Sequence, residues 1–239
     1  MDSKPRYEFN SIGYVQSLYK EKFAVPRQPN IITQAQCQII LSPEFANEDS
    51  IKGLADFSHI WVQFVFNQNE PGKWHYLVRP PRLGGNKKIG VYASRSPFRP
   101  NPIGLSAVEY LGHSIINNQI VLNIKGGDFV NGTPVIDIKP YIKYVDCIPK
   151  ASSGFAQAEP QSTIAGVTYT ELAQRQKNKI DKPIIDFIEA VLMQDPRPAY
   201  KKNKLDTKVY SVKIGDFDVR FEVIKDVVKI REFEKADLS

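Results

Sequence analysis

The sequence predicts a mainly β protein with an α+β appendage: a strand-rich barrel or sandwich first, then a small domain built from a helix and a hairpin. Three observations predict it. Short apolar strand candidates recur at close spacing, with little helical periodicity, as far as about Ile148. A small, polar, aperiodic stretch, "PKASSGFAQAEPQS" from Pro149 to Ser162, then breaks the pattern and reads as a linker. Beyond it lie the longest helical pattern of the chain, two alternating segments and a last strand. The division is therefore residues 1–150, a linker at 151–162, and residues 163–239.

Taken in order, "FNSIGYVQSLY" (Phe9 to Tyr19) and "CQIIL" (Cys37 to Leu41) are strands, separated by a loop with prolines. "NEDSIKGLADF" predicts a short helix, with acids in its first turn facing the helix dipole favourably. "HIWVQFVFN" (His59 to Asn67) is almost continuously apolar, which predicts a strand buried on both faces. "IGVYAS", "LSAVEYLGHSI", "QIVLNIKG" and "TPVIDIKPY" are further strands, with turns at Asn117-Asn118 and Asn131-Gly132. After the linker, "TYTELAQRQKNKIDKPIIDFIEAVLMQD" is helical. Asp181 is placed at an N-cap and Pro183 in the first turn, with Ile184, Ile185, Ile188, Val191 and Leu192 on one apolar face. "KVYSVKIG" and "FDVRFEVI" form a hairpin at Gly215-Asp216, and "VVKIREFE" completes the unit.

Composition narrows the function. Of 239 residues, 42% are hydrophobic and 24% charged, an ordinary globular balance with no apolar run long enough for a membrane span and no signal-peptide core. The two cysteines, Cys37 and Cys147, are far apart and read as reduced, buried small residues of a cytosolic protein. His59, His75 and His113 lack metal-ligand spacing, so no metal is expected. No Walker loop, GxSxG elbow or dinucleotide fingerprint occurs. The net charge of +6 is unevenly spread: from Pro71 to Val108 there is no acid, but Lys73, Arg79, Arg82, Lys87, Lys88, Arg95 and Arg99 are present. A second basic cluster runs from Arg197 to Lys213. Tyr76, Tyr92, Phe98 and Tyr200 are interleaved with these cations, the pairing that attracts phosphates and stacks bases.

Loops at strand ends gather chemistry. "AVPRQP" sets Arg27 and Gln28 between prolines, and "NQNEPG" opens with Asn67 and Gln68 where an apolar strand runs out. "RPPRLGGN" and "RSPFRPNPIG" mount arginines on proline braces, and "GGDFVNGTPV" combines Asp128 and Asn131 with glycines. In "RSPFRPNPIG", Pro97, Pro100 and Pro102 fix the backbone and exclude a helix or central strand, so Arg95 and Arg99 ride on a stiff support.

These segments, with "FVFNQ", "NGTPVIDIKPY" and "DPRPAY", resemble the signature stretches of the tRNA methyltransferase O family over nearly the whole chain, in the same order. Asn67 stands where that family more often has His, and Asn131 where it has Asp. The resemblance implies a TsaA-like β-barrel, often dimeric, that uses S-adenosylmethionine. The implied reaction methylates N6 of N6-threonylcarbamoyladenosine at position 37 of tRNA, next to the anticodon. It further implies cofactor contacts from Pro26, Arg27, Gln28, Asn67, Gln68, Arg95, Leu105, Asp128, Phe129, Val130 and Asn131. Asp195 becomes the candidate to accept the N6 proton, and Arg99, Arg197, Tyr200, Lys201 and Lys202 the candidates for contact with tRNA. Without the resemblance, the basic-aromatic pattern fits a non-catalytic RNA-binding barrel equally well.

Overall fold

The computed structural model describes residues 7–70, 72–160, 162–198, 201 and 208–236. Its first half is a closed antiparallel barrel in the order β1-β2-β7-β6-β3-β8. The strands are β1 (Gly13–Gln16), β2 (Gln36–Leu41), β3 (His59–Val65), β6 (Ile103–Ile116), β7 (Gln119–Lys125) and β8 (Pro134–Pro140). Between β3 and β6 the chain makes a two-stranded excursion, β4 (Leu77–Val78) with β5 (Ile89–Gly90). A one-turn helix, α1 (Lys143–Asp146), follows β8.

Alternation in the strands builds the interior. Ile60, Val62 and Phe64 of β3 point inward and are buried, whereas Trp61, Gln63 and Val65 keep partial exposure on the outer face. The expected burial of this strand on both faces is therefore corrected, because a small closed barrel has a filled inside and a wet outside. Near the end of β3 Phe64 packs edge-on against Phe129, centroids 5.0 Å apart, and its ring lies where a Cβ on Gly104 would stand. That close approach explains the glycine ending "RSPFRPNPIG".

Several local expectations change. The first strand shortens to four residues, and "NEDSIKGLADF" forms two 3₁₀ turns rather than a helix. "IGVYAS" holds only the two residues of β5 before a 3₁₀ turn. The Asn117-Asn118 turn is as expected, both residues having positive φ as a tight hairpin with right-handed strand twist requires. Cys37 is buried but Cys147 is exposed, since it ends the α1 turn outside the barrel.

The second half is a four-stranded sheet, β10-β11-β12-β9, covered by two helices. Its hairpin and last strand, β10 (Tyr210–Ile214), β11 (Phe217–Ile224) and β12 (Val227–Lys235), fall where alternation puts them. The long helical pattern divides into β9 (Gly166–Tyr169), α2 (Glu171–Lys177) and α3 (Lys182–Met193). Pro183 forces the break, since its ring clashes with a carbonyl four residues earlier and must sit in a first turn. Asp181 occupies the N-cap position, but its side chain makes no cap; at α2 the Thr170 hydroxyl does, accepting from Ala173 N–H at 3.1 Å. β9 pairs in parallel with β12, from Val227↔Gly166 to Ile230↔Tyr169.

The core of this half reaches across the linker. It joins Ile185, Phe187, Ile188 and Leu192 of α3 and the sheet interior to Tyr19, Ala24, Ile32 and Ala35 of the β1–β2 connection. Tyr19 bridges to Ile214, Gly215 N–H donates to Leu18 C=O at 2.7 Å, and Lys213 N–H donates to Glu21 Oε1 at 3.0 Å. The β1–β2 connection is thus clamped between the barrel and the C-terminal sheet.

Candidate active site at the barrel mouth

Register fixes where the loops emerge. The end of β1 lies beside the start of β2, that start beside the end of β7, and the end of β3 beside the start of β6. The start of β8 abuts β1 and the end of β3. The connections β1–β2, β3–β6 and β7–β8 consequently share one mouth, and they contain the loop segments singled out by sequence.

Hydrogen bonds lace them into a ring. Ser17 Oγ donates to Phe129 C=O at 2.8 Å and Ser17 N–H to Asn131 Oδ1 at 3.0 Å, while Asn131 N–H donates to Tyr19 C=O at 2.8 Å. Asn30, with φ 63°, donates its N–H to Gly126 C=O at 2.8 Å and its amide to Ala107 C=O at 3.1 Å. Its side chain fills the space that a Cβ on Gly126 would need. Lys22 Nζ donates to Gln68 C=O at 2.7 Å and Asn69 Oδ1 at 3.1 Å, and Asn69 in turn donates to Pro97 C=O at 3.0 Å. Arg95 closes the ring through Nη1 to Gln28 Oε1 at 2.7 Å. Lys22, Asn30, Asn69 and Ser17 carried no sequence signal, because single polar residues in loops are common.

The proline loop explains itself at this level. Its prolines remove donors, and serines satisfy two of those that remain: Ser96 N–H donates to Ser94 Oγ at 3.2 Å and Phe98 N–H to Ser96 Oγ at 3.3 Å. Arg99 folds back to donate to Ser94 C=O at 3.3 Å, so it braces the loop rather than projecting from it as a free cation. Arg95 is left exposed toward Gln28 and Asp128.

Asp128 is the electrostatic centre. Burial pushes its carboxyl up to about 6, although Ser106 Oγ donates to Oδ1 at 2.7 Å and the Arg95 charge favours ionisation. Ser106 is buried on the inner face of β6 and was not anticipated. The Tyr19 hydroxyl, within electrostatic range of this carboxyl, is buried with no hydrogen-bond partner among the described residues. Cys37 lies within electrostatic range of the same carboxyl, and burial pushes its thiol up to about 12. Partial desolvation lowers the Arg27 pKa, yet a guanidinium remains cationic at any working pH.

The other expected site residues divide. Gln28, Arg95, Asp128 and Asn131 converge, with Pro26 and Arg27 alongside and Asn67 and Gln68 exposed at the β3 exit. The Phe129 side chain is part of the barrel core, and Val130 contributes a turn through its carbonyl, which accepts from Thr133 Oγ1 at 2.7 Å. Leu105 stands exposed on the outer face of β6, opposite Gln63. Lys201 is half-buried, and Tyr200 and Lys202 lie outside the described residues.

Asp195 and Arg197 require a correction. Arg197 Nε and Nη2 bind the two carboxylate oxygens at 2.8 and 3.0 Å, with side-chain exposures of 3% and 1%. The fork leaves the Asp195 carboxylate almost without exposed surface. Asp195 instead ends α3: with φ 49° it takes the left-handed position usually given to glycine, its N–H donates to Leu192 C=O at 3.0 Å, and Pro196 follows. Arg197, equally buried, is the partner that holds this carboxylate in place.

An antiparallel barrel with a cationic, amide-rich mouth and an α+β unit packed on its first loop is the architecture expected of the β-barrel methyltransferases. The tRNA-methyltransferase O N-terminal domain family matches residues 14–147, and the TrmO C-terminal domain family matches 162–236. The chain belongs to the tRNA-methyltransferase O family. It is 44% identical to the tRNA (adenine(37)-N6)-methyltransferase of Escherichia coli K12 over 220 residues, covering 91% of this chain and 93% of that protein. A putative S-adenosylmethionine-dependent methyltransferase of Pseudomonas aeruginosa is 38% identical over 236 residues, covering 97% and 99%. The crystal structure of TrmO from P. aeruginosa superposes with a TM-score of 0.77 at 31% identity, covering 96% of this chain and 99% of that one.

Two outcomes follow from the site geometry. The Asp128 carboxyl is raised from 3.8 to about 6, so the folded chain holds its proton more tightly than the unfolded chain does. That contribution is full below the unfolded value and lost as pH rises through about 6. Asp128→Asn, which cannot ionise, is therefore expected to exceed the parent in stability at pH 7.5 by about 2–3 kcal/mol and to match it near pH 4; denaturant unfolding at the two pH values reads this, and equal stability at both contradicts it. Asp195→Asn strips the charge from a buried pair and is expected to cost about 3–5 kcal/mol of stability, whereas a residue acting only as a base leaves the unfolding midpoint in place.

Proposed function

We propose that this protein transfers a methyl group from S-adenosylmethionine to N6 of adenosine 37 in tRNA, and that the adenosine already carries a threonylcarbamoyl group. The observation that carries the reading is the convergence of Arg95, Gln28 and Asp128 at the mouth of a barrel of this family. The residues fit the cofactor. Arg95 and Arg27 offer guanidinium groups to a carboxylate, Asp128 offers a negative group to an ammonium or sulfonium, and the unpartnered Tyr19 hydroxyl stands ready for a polar atom.

When bound, S-adenosylmethionine supplies a methyl carbon activated by its sulfonium. The chain's own part is positioning, since an in-line displacement gains most from holding two reactants in one geometry. The stapled loops provide that: Asn30, Lys22 and Asn69 fix their backbones, and the proline brace holds Arg95. Asp128 acts in its ionised form, so cofactor affinity rises as pH passes through about 6. The acyl group on N6 makes its proton more acidic, which lessens the demand for a strong protein base.

The exposed cations Arg79, Lys87 and Lys88 support a phosphate-bearing substrate. A tRNA substrate implies the cytoplasm, and no described helix is long and apolar enough to cross a membrane. We assign a homodimer as the working form, supported by the exposed apolar side chains of Ile103, Leu105, Leu111, Ile115 and Ile116 along β6.

The test is methyl transfer from labelled S-adenosylmethionine to unmodified tRNA and to threonylcarbamoylated tRNA, with light scattering for the mass. Turnover on the modified tRNA alone, or far faster on it, is expected. Equal turnover on both removes the threonylcarbamoyl requirement, and transfer to neither removes the proposed reaction.

A further inference from the structure

We infer that the exposed rings of Tyr76 and Tyr92, on the basic excursion between β3 and β6, form a stacking platform for the unpaired bases flanking the target adenosine. This rests on the proposed tRNA substrate and adds to it where the strand lies. The two rings are 79% and 75% exposed, an expensive display for large aromatics that no fold requirement explains. They are nonetheless held in place. Tyr76 packs against the half-buried Trp74, with centroids 4.4 Å apart and ring planes at 59°. Tyr92 follows Val91, which is buried and whose N–H donates to Tyr76 C=O at 3.0 Å, so the β4–β5 pairing brings the backbones of the two tyrosines together.

The platform is coupled to the cofactor loops. His75 N–H donates to Phe98 C=O at 3.2 Å and the two rings meet at 5.5 Å, tying the excursion to the proline loop. Tyr92 also stands only three residues before Arg95, so their Cα atoms are at most about 11 Å apart even if the chain were extended. Ser94 shortens this further by donating from its N–H and hydroxyl to Val91 C=O, at 3.1 and 2.8 Å. A base resting on Tyr92 is thus near the cofactor clamp.

Charge selects the occupant. Arg79, Lys87 and Lys88 on the same excursion are exposed, and no acid occurs between Pro71 and Val108. A second copy of this chain would bring the same positive surface to the contact, whereas single-stranded RNA brings phosphates for the cations and π-faces for the rings. The anticodon loop that presents adenosine 37 has unpaired bases of this kind.

The experiment compares the parent with Tyr76→Ala/Tyr92→Ala and Tyr76→Phe/Tyr92→Phe in steady-state methylation of tRNA, alongside calorimetry with S-adenosylmethionine and light scattering. The alanine pair is expected to raise KM for tRNA roughly ten- to a hundredfold, the range for losing base stacking on aromatic rings. Its affinity for S-adenosylmethionine and its mass should match the parent's, and the phenylalanine pair should keep the parental KM. A parental KM in the alanine pair overturns the platform. So does a fall in mass, which makes the rings a contact between copies, or a loss of cofactor affinity, which makes them a wall of the cofactor site. Absence of methyl transfer by the parent itself removes the tRNA reading instead, and is seen before any variant is compared.

Discussion

The structure depends on the packing of the β1–β2 connection between two cores. Tyr19 is buried against Phe187 of α3, with centroids 5.0 Å apart, while the same loop returns through Ala35 to the barrel. Isolated, a connection of this length with two prolines would be a mobile surface loop. Held from both sides, it delivers Arg27, Gln28 and Asn30 to the barrel mouth in one arrangement. The C-terminal unit therefore contributes to the mouth through packing, in addition to any part it takes in meeting tRNA.

The mouth also shows where stability and chemistry oppose one another. A carboxyl at Asp128 in partly desolvated surroundings, with an unpartnered tyrosine hydroxyl within electrostatic range, is a poor choice for a fold and a good one for receiving a polar cationic ligand. Around it the backbone is over-determined by side-chain staples. That combination separates the mouth from the Asp195–Arg197 pair, where each buried charge is fully matched within the chain. Both carboxylates are withdrawn from water, but only one faces an incomplete set of partners.

Much of the fold was legible because period-two alternation and turn chemistry are local. The hairpin at Gly215-Asp216, the Asn117-Asn118 turn and the last strand fell where those signals put them. The misses were non-local. "GVTY" reads into the helix that follows it, and only parallel pairing with β12 makes it a strand. "HIWVQFVFN" looks doubly buried until barrel closure turns Trp61 and Gln63 outward. At the site, the arginines and amides on proline loops were visible as unusual residues in unusual places. Ser106 was not, since one serine in an apolar strand has no signature until Asp128 is seen beneath the mouth. Asp195 entered through the resemblance of "DPRPAY" alone, and no local signal showed that its carboxylate is forked by Arg197 just past a helix end.

This packing makes the C-terminal core the support that sets the geometry of the β1–β2 connection at the barrel mouth. The direct measurement is S-adenosylmethionine affinity by calorimetry in Phe187→Leu, which trims the ring behind Tyr19 without touching the mouth, together with amide exchange along the chain. The account predicts weaker binding and faster exchange across residues 18–35, with β3, β6 and β7 as protected as in the parent. Parental affinity alongside accelerated exchange in that segment would contradict it, because the loop would then bind the cofactor without the support of the second core.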